Sequence, residues 1–402
     1  MKFNFKADRW LAITVGLLVL FGMVMITSIG VPKSIALSAP DVLYPSCSDA
    51  NVDCYMLAKN HFFRLLIALF VAFLAFLAPI KFWRKMAPLL FGAVILALLV
   101  VMILGNSYGT IATSWLVLFN TSLQPSEFAK IALVLYLAYW LSRKGEKIKD
   151  LTEGVIPFCI TVSLVLGPIV LQNDYGSALV IGGIAMGMFI LAGAKAKHVL
   201  ASFLVAIVGF IIVVAAVPHV QERIQGFTRI DQECIEDYCW QSQQAAIAIG
   251  SGGFWGKGLT LGVQKSLWLP QASDDFIFAA SAEELGFIKI IFVVIGYFII
   301  AWRGYTIASK TEGTFEMLIA VGITTAITFQ AFVNIAVNTA LFPVTGITLP
   351  FISYGGSSLV ASLVGVAILL KISENSSSYA YSSNRGRDRR SRVSKYSRYR
   401  RD

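Results

Sequence analysis

The stretch 269–286, LPQASDDFIFAASAEELG, sets two adjacent carboxylates, Asp274 and Asp275, before an aromatic pair and two further carboxylates, Glu283 and Glu284, in a chain that is only 14% charged. Carboxylates gathered this way suit a general base with a partner that orients it, or oxygen ligands around a divalent cation. On a helix, neighbouring residues point about 100° apart, so Asp275 would share a face with Ala279 and Ala282/Glu283 while Asp274 points elsewhere. A solvated acidic helix start, favoured by the helix dipole, accounts for Asp274. It does not account for Phe276 and Phe278, which draw the segment toward an apolar phase.

Other charges stand where an apolar chain should have none. In SLQPSEFAKIALVLYLAYWL, Glu127 and Lys130 sit at i and i+3 inside a hydrophobic run, where each unpaired charge costs about 2.5–3.5 kcal/mol. They read as an ion pair or as a polar site facing a cavity. Asp174, in VLQNDYGSALV, suits a tight turn or a helix cap. Arg64, in KNHFFRLLIAL, is explained by an interfacial snorkel unless other charges converge on it. Within the long polar segment 218–285 lie Arg223 and Arg229, then SGGFWGKGL with Lys257, then Lys265. A Gly-rich turn beside lysine can cradle phosphate through its amides. Three or four cations on one side fit an anionic ligand.

These groups must be positioned by membrane helices. The chain of 402 residues is 57% hydrophobic, with a mean hydropathy of +0.72, which excludes a soluble globular domain. The hydropathy pattern predicts an all-α polytopic protein with ten spans, near 10–30, 62–79, 87–104, 124–141, 154–171, 176–193, 199–217, 286–303, 315–335 and 357–372. Lys2, Lys6, Arg9, Lys81, Arg84, Lys85, Arg143, Lys144, Lys147, Lys149, Lys195, Lys197, Arg303 and Lys310 all fall on one set of alternating segments, which must be cytoplasmic. Both termini are then inside, and the 31–60 and 218–285 loops, with the acidic stretch, are outside. Pro125 suits the first turn of the fourth helix. The segment NIAVNTALFPVTGITLPFISYGGSSLV carries prolines and glycines at membrane depth, where non-helical backbone survives only buried in protein or lining a cavity; it is expected to be re-entrant, beside the site.

The first apolar run lacks a cleavage pattern and is expected to stay as helix 1. The net charge of +10 comes largely from the tail after Ile372. That Ser/Tyr/Arg run is expected to be a disordered basic cytoplasmic tail, 373–402, binding anionic lipids or docking a cytosolic scaffold protein; nothing folded accompanies it to suggest nucleic-acid binding. Cys47/Cys54 and Cys234/Cys239 fall in the two outside loops. With no histidine in either cluster they are read as disulfides, in any of three connectivities, rather than as a zinc site.

The motifs QPSEFAK, QSQQAAIAIGSGGFWGKGLTLGVQK, LPQASDDFIFAASAEELG and PVTGITLPFISYGGSSL resemble, in order and spacing, the SEDS family of shape, elongation, division and sporulation proteins, over essentially the whole region 1–372. The resemblance implies a ten-helix enzyme of the bacterial cytoplasmic membrane that polymerises lipid II into glycan strands on its outer face. The implied partners are lipid II, the nascent strand, a class B penicillin-binding protein and other divisome proteins. GITLPFISYGGSS and the long tail resemble the division-type members more than the elongation type. Residue by residue, the family's essential loop aspartate falls on Asp275. Its QPSE motif and lysine fall on Gln124, Pro125, Ser126, Glu127 and Lys130, its helix 5–6 acid on Asp174, and its arginines on Arg64 and Arg223. The chain departs from the pattern where Ser114 precedes Trp115, where Asn173 replaces a proline before Asp174, and in its cysteine pairs.

Asp275 is thereby expected to act as general base on an acceptor 4-hydroxyl. Lys130, Arg64 and Arg223, with Mg²⁺ or Mn²⁺ and no organic cofactor, would stabilise the departing diphosphate. Glu127 would hold Lys130 or ligate the metal, Lys257 and Lys265 would bind substrate, and Glu283 is left for metal or structural duty. A lipid II flippase and a non-catalytic scaffold are the competing readings.

Overall fold

A computed structural model describes residues 7–40, 45–49, 51–105, 114–118, 121–228 and 239–376. Its helices are α1 (Arg9–Ile29), α2 (Val31–Ser38), α3 (Met56–Leu77), α4 (Ile80–Leu104), α5 (Pro125–Lys144), α6 (Ile156–Leu171), α7 (Tyr175–Leu191), α8 (Ala196–Ala216), α9 (Pro218–Thr228), α10 (Trp240–Gly252), α11 (Ile277–Leu285), α12 (Phe287–Ser309), α13 (Thr314–Asn338) and α14 (Gly356–Ser376). Eight of these are long and apolar enough to cross a membrane, and Tyr175–Leu191 is a shorter apolar helix. With α5, which carries the Glu127 and Lys130 charges, all ten expected spans are present among the described residues. α3 begins at Met56 and α4 at Ile80, six or seven residues before the hydropathy runs at 62 and 87. Their first turns, MLAKNH and IKFWRK, are polar enough to escape an apolarity window yet still helical at an interface. A two-stranded antiparallel hairpin, β1 (Leu116–Leu118) and β2 (Thr121–Leu123), precedes α5 and was not expected from the sequence.

The bundle is graded from centre to rim. α13 is 78% buried over its most apolar window and α8 only 6%; α13 packs on α5, α7 and α12. The segment after α13 has no helix: its first part, with Leu341 and Phe342, is exposed, while in its second half Leu349, Phe351 and Ile352 are within 2% of full burial. Gly22 of α1 lets it approach, since a Cβ there would lie 2.7 Å from Ile352 Cα.

The outer loop folds back on α11. Lys257 and Gly258 donate their backbone N–H groups to the carbonyls of Glu283 and Glu284, at 3.0 and 2.9 Å. Gly256, at φ +82°, permits this contact, because a Cβ would lie 2.3 Å from Glu284 O. Glu283 accepts from Lys257 Nζ at 2.6 Å and from the N–H groups of Val263 and Gln264 at 3.0 Å. Glu284, fully buried, accepts from Lys265 Nζ at 2.6 Å, from Ser28 Oγ at 2.7 Å and from Thr260 N at 3.1 Å. The loop 257–265 is thereby tied to both α11 and α1.

Cys47 and Cys54 form a disulfide with a Cα–Cα distance of 5.7 Å. This is the local pairing among those the sequence left open. Cys239 is also disulfide-bonded, while Cys234, like Arg229 and the tail 377–402, lies outside the described residues.

Lys265→Met should strand the Glu284 carboxylate in the interior and destabilise the fold by about 3–5 kcal/mol, read as a lower thermal midpoint in detergent. Adding Glu284→Gln should recover much of that loss; no recovery would mean the pair is not what anchors the loop.

Candidate active site

Asp275 lies in the turn 271–276 that leads into α11. Asp274 N and Phe276 N both donate to Gln271 O, at 3.0 and 3.2 Å, closing the turn. The helix begins only at Ile277, so the shared face inferred for Asp275 and Glu283 is corrected: the turn, not a helical repeat, separates the neighbouring aspartates.

The turn is held by α13. Asn334 and Asn338 donate their side-chain amides to Asp275 O at 2.8 and 2.9 Å. Asn338 also accepts from Ala279 N at 2.9 Å, and Asn334 donates to Ile347 O of the non-helical segment at 2.7 Å. One turn below, Gln330 donates to Thr348 O at 2.9 Å and accepts from Lys130 Nζ at 2.6 Å. Gln330, Asn334 and Asn338 thus form a buried polar ladder at i, i+4 and i+8. From the far side, Ser353 Oγ donates to Asp274 O at 2.5 Å, and Tyr354 N donates to Ser273 O at 2.9 Å.

The two aspartates have different surroundings. Asp274 receives Lys33 Nζ at 2.5 Å. The Asp275 carboxylate has no hydrogen bond or ion pair among the described residues; its Oδ2 would lie 3.7 Å from a Cβ on Gly346. Burial first, and then the charge of Asp274, push the Asp275 carboxyl up to about 7, against the pull of Lys33 and Arg223. Burial also raises Asp274, opposed mainly by Lys33.

The other expected residues divide into three groups. Asp174 caps α7, accepting from Ser177 N at 3.0 Å, and it also accepts from Ser126 Oγ at 3.0 Å and Gln124 Nε2 at 3.2 Å. Gln124 and Ser126 of the QPSE motif and the helix 5–6 acid are therefore one cluster. Arg223 links that cluster to Asp275: Asp275, Asp174 and Tyr175 all act on its charge, against a burial that lowers its proton affinity, and it donates to Val344 O at 3.3 Å. Arg64 lies over the Tyr354 ring at 4.7 Å and acts on Asp274, so the charges it needed do converge.

Glu127 and Lys130 form a second group, paired at 2.7 Å and nearly buried. They line a cavity of about 20 Å³ with Gln330 and Ser362, room for roughly one water. The Lys130 ammonium is thus already occupied by Glu127 and Gln330. Lys257, Lys265 and Glu283 form a third group, and here the sequence expectation is corrected. The amides of the Gly-rich turn are spent on carbonyls of α11, the two ammonium groups on the buried carboxylates, and Glu283 on one ammonium and two N–H groups. They shape the loop rather than offer a phosphate cradle or a metal ligand.

Sequence reasoning passed over Lys33, Gln330, Asn334 and Asn338. The last three leave a legible signal, carboxamides at four-residue spacing in an otherwise apolar helix. Lys33, in the short helix α2 of the first outer segment, leaves none. Asp174, Gln124 and Asn338 stand at helix ends that the charge asymmetry assigns to the outside, and Lys33 in α2 and Arg64 in the outer half of α3 lie on the same side.

The chain is similar to known proteins in sequence and in fold. The chain matches the family model for FtsW, RodA and SpoVE, described as "Cell cycle protein", over residues 8–378. It is 37% identical over 360 residues to the "Probable peptidoglycan glycosyltransferase FtsW" of Trichlorobacter lovleyi, covering 89% of this chain and 92% of that one. It is 35% identical over 327 residues to the "Stage V sporulation protein E" of Bacillus subtilis, covering 81% and 88%. Among solved structures it resembles a chain of one described as "Structural coordination of polymerization and crosslinking by a peptidoglycan synthase complex", with TM-score 0.73, 24% identity and coverage of 92% and 98%. It also resembles the "Rod shape determining protein RodA" of Thermus thermophilus, with TM-score 0.63, 25% identity and coverage of 91% and 96%. The chain is a multi-pass membrane protein belonging to the FtsW/RodA/SpoVE family, the SEDS family its motifs resemble.

Proposed function

We propose that this chain is a peptidoglycan glycosyltransferase that polymerises lipid II at the outer face of the bacterial cytoplasmic membrane, in septal wall synthesis. The observation that carries the reading is Asp275: a half-buried carboxylate, unpaired among the described residues and raised to about 7, within the electrostatic reach of Arg223. A base is most effective with a pKa near the working pH.

In this reading Asp275 takes the proton from the acceptor 4-hydroxyl. The freed oxygen attacks the anomeric carbon, inverting it, while the bond from that carbon to the lipid diphosphate breaks. Arg223 and Arg64 receive the charge that develops on the departing diphosphate. Asn334 and Asn338 hold the base by its backbone rather than its carboxylate, leaving both oxygens for the substrate. Asp174, Gln124 and Ser126 fix the neighbouring helix ends.

Among the described residues no three His, Cys, Asp or Glu side chains gather around one point. A divalent cation would therefore bind chiefly through the substrate's own diphosphate oxygens and waters, as Mg²⁺ commonly does, adding positive charge there. A class B penicillin-binding protein that cross-links the product is the proposed partner, supported by the motif resemblance.

Purified protein given lipid II should make glycan polymer visible on a gel, with and without the partner synthase. Asp275→Asn should lower the polymerisation rate by more than about 100-fold while the protein remains folded; normal polymerisation by that variant removes the base assignment, and lipid transport without polymer favours the transporter reading. The wild-type rate should rise with pH through about 7, because only the ionised carboxylate accepts the proton. Exchanging the charges of Glu127 and Lys130 should cost at least about tenfold in rate; full activity would reduce them to a structural pair.

A further inference from the structure

Lys33 stands in the short helix α2 of the first outer segment, far in sequence from the acidic turn, yet its ammonium grips that turn at two points. It donates to Gln271 Oε1 at 3.0 Å and to Asp274 Oδ2 at 2.5 Å. Gln271 is also the residue whose carbonyl closes the turn, and it takes a positive φ of +53° to do so. Lys33 therefore holds the turn by the residue that defines its shape and by the carboxylate adjacent to the base.

We propose that Lys33 is a positioning residue for glycosyl transfer: by neutralising Asp274 and fixing the 271–275 turn, it keeps Asp275 ionised and aimed at the acceptor hydroxyl. The inference rests on the reading of Asp275 as the base. Two neighbouring carboxylates cannot both stay ionised at low cost unless a cation attends one of them. The charged groups facing the pair from the surrounding elements are Lys33 of α2, Arg64 of α3, Asp174 of α7 and Arg223 of α9. Asn334 and Asn338 of α13 bring hydrogen bonds but no charge. Of the cations, Lys33 is the one that bonds directly to the Asp274 carboxylate, so it decides whether that carboxylate opposes the base. Its side chain is about one-third exposed, so it can hold Asp274 without being sealed in the interior.

The test is the pH dependence of polymerisation by the full-length protein, across about pH 5.5 to 9.5. With Asp275 near 7, losing Lys33 should move the acidic limb up by about one unit. Lys33→Met should then be about fivefold slower at pH 7 and within about twofold of wild type near pH 9. Lys33→Arg should keep the wild-type limb. The double variant Lys33→Met/Asp274→Asn, which removes both the cation and the charge it balances, should return the limb toward its original position. Asp274→Asn alone should move it to lower pH, and it serves as the readout if Lys33→Met fails to fold. An equal loss of rate for Lys33→Met at every pH, or an unshifted limb in Asp274→Asn, overturns the inference. Asp275→Asn separates the two claims: if it is inactive while the Lys33 limb is unmoved, only the Lys33 assignment fails; if it polymerises normally, the base reading fails first.

Discussion

The arrangement depends on one constraint: backbone carbonyls outside a helix must be satisfied where little water reaches them. The segment after α13 and the turn before α11 both bring such carbonyls to the centre of the bundle. An unmet buried acceptor costs roughly 1–3 kcal/mol, and several together would reject the fold. The carboxamides of Gln330, Asn334 and Asn338 meet those of Thr348, Ile347 and Asp275, and the Tyr297 hydroxyl meets Pro350 O at 2.5 Å. The same face of α13 therefore stabilises the broken backbone and sets the position of Asp275.

Five acidic residues of similar chemistry receive different uses from what reaches them. Glu283 and Glu284 are surrounded by ammonium and N–H groups and become anchors of the outer loop. Asp274 is held by Lys33. Asp174 caps a helix and gathers the QPSE residues. Asp275 is met only through its carbonyl, and its carboxylate stays available with a proton affinity suited to neutral pH. Assigning the other carboxylates to structure makes the one unassigned carboxylate distinctive.

Much of this was legible in the chain. The ten spans, the outward placement of the acidic stretch, the first-turn position of Pro125 and the buried non-helical segment follow from hydropathy, charge asymmetry and proline chemistry, which act locally. Asp275 was singled out by its motif, and Glu127 with Lys130 by their spacing in an apolar run. The reading failed where a residue's role depends on a distant partner. Lys257, Lys265 and Glu283 look like ligand-binding groups in isolation, and only the return of the loop onto α11 turns them inward. The helical face proposed for Asp275 and Glu283 failed for a related reason: the contacts from α13 and from Ser353 end the helix at Ile277 rather than at the aspartates.

By itself, then, the sequence determined the membrane class, the topology and the family, because hydropathy, charge bias and long contiguous motifs are properties of neighbouring residues. The tertiary structure decided which charges remain available for chemistry. Pairing Lys33 with Asp274, Ser28 and Lys265 with Glu284, and three carboxamides of α13 with the broken segments joins positions tens to hundreds of residues apart, and the energy of a buried charge or carbonyl is set by the partner that folding brings to it.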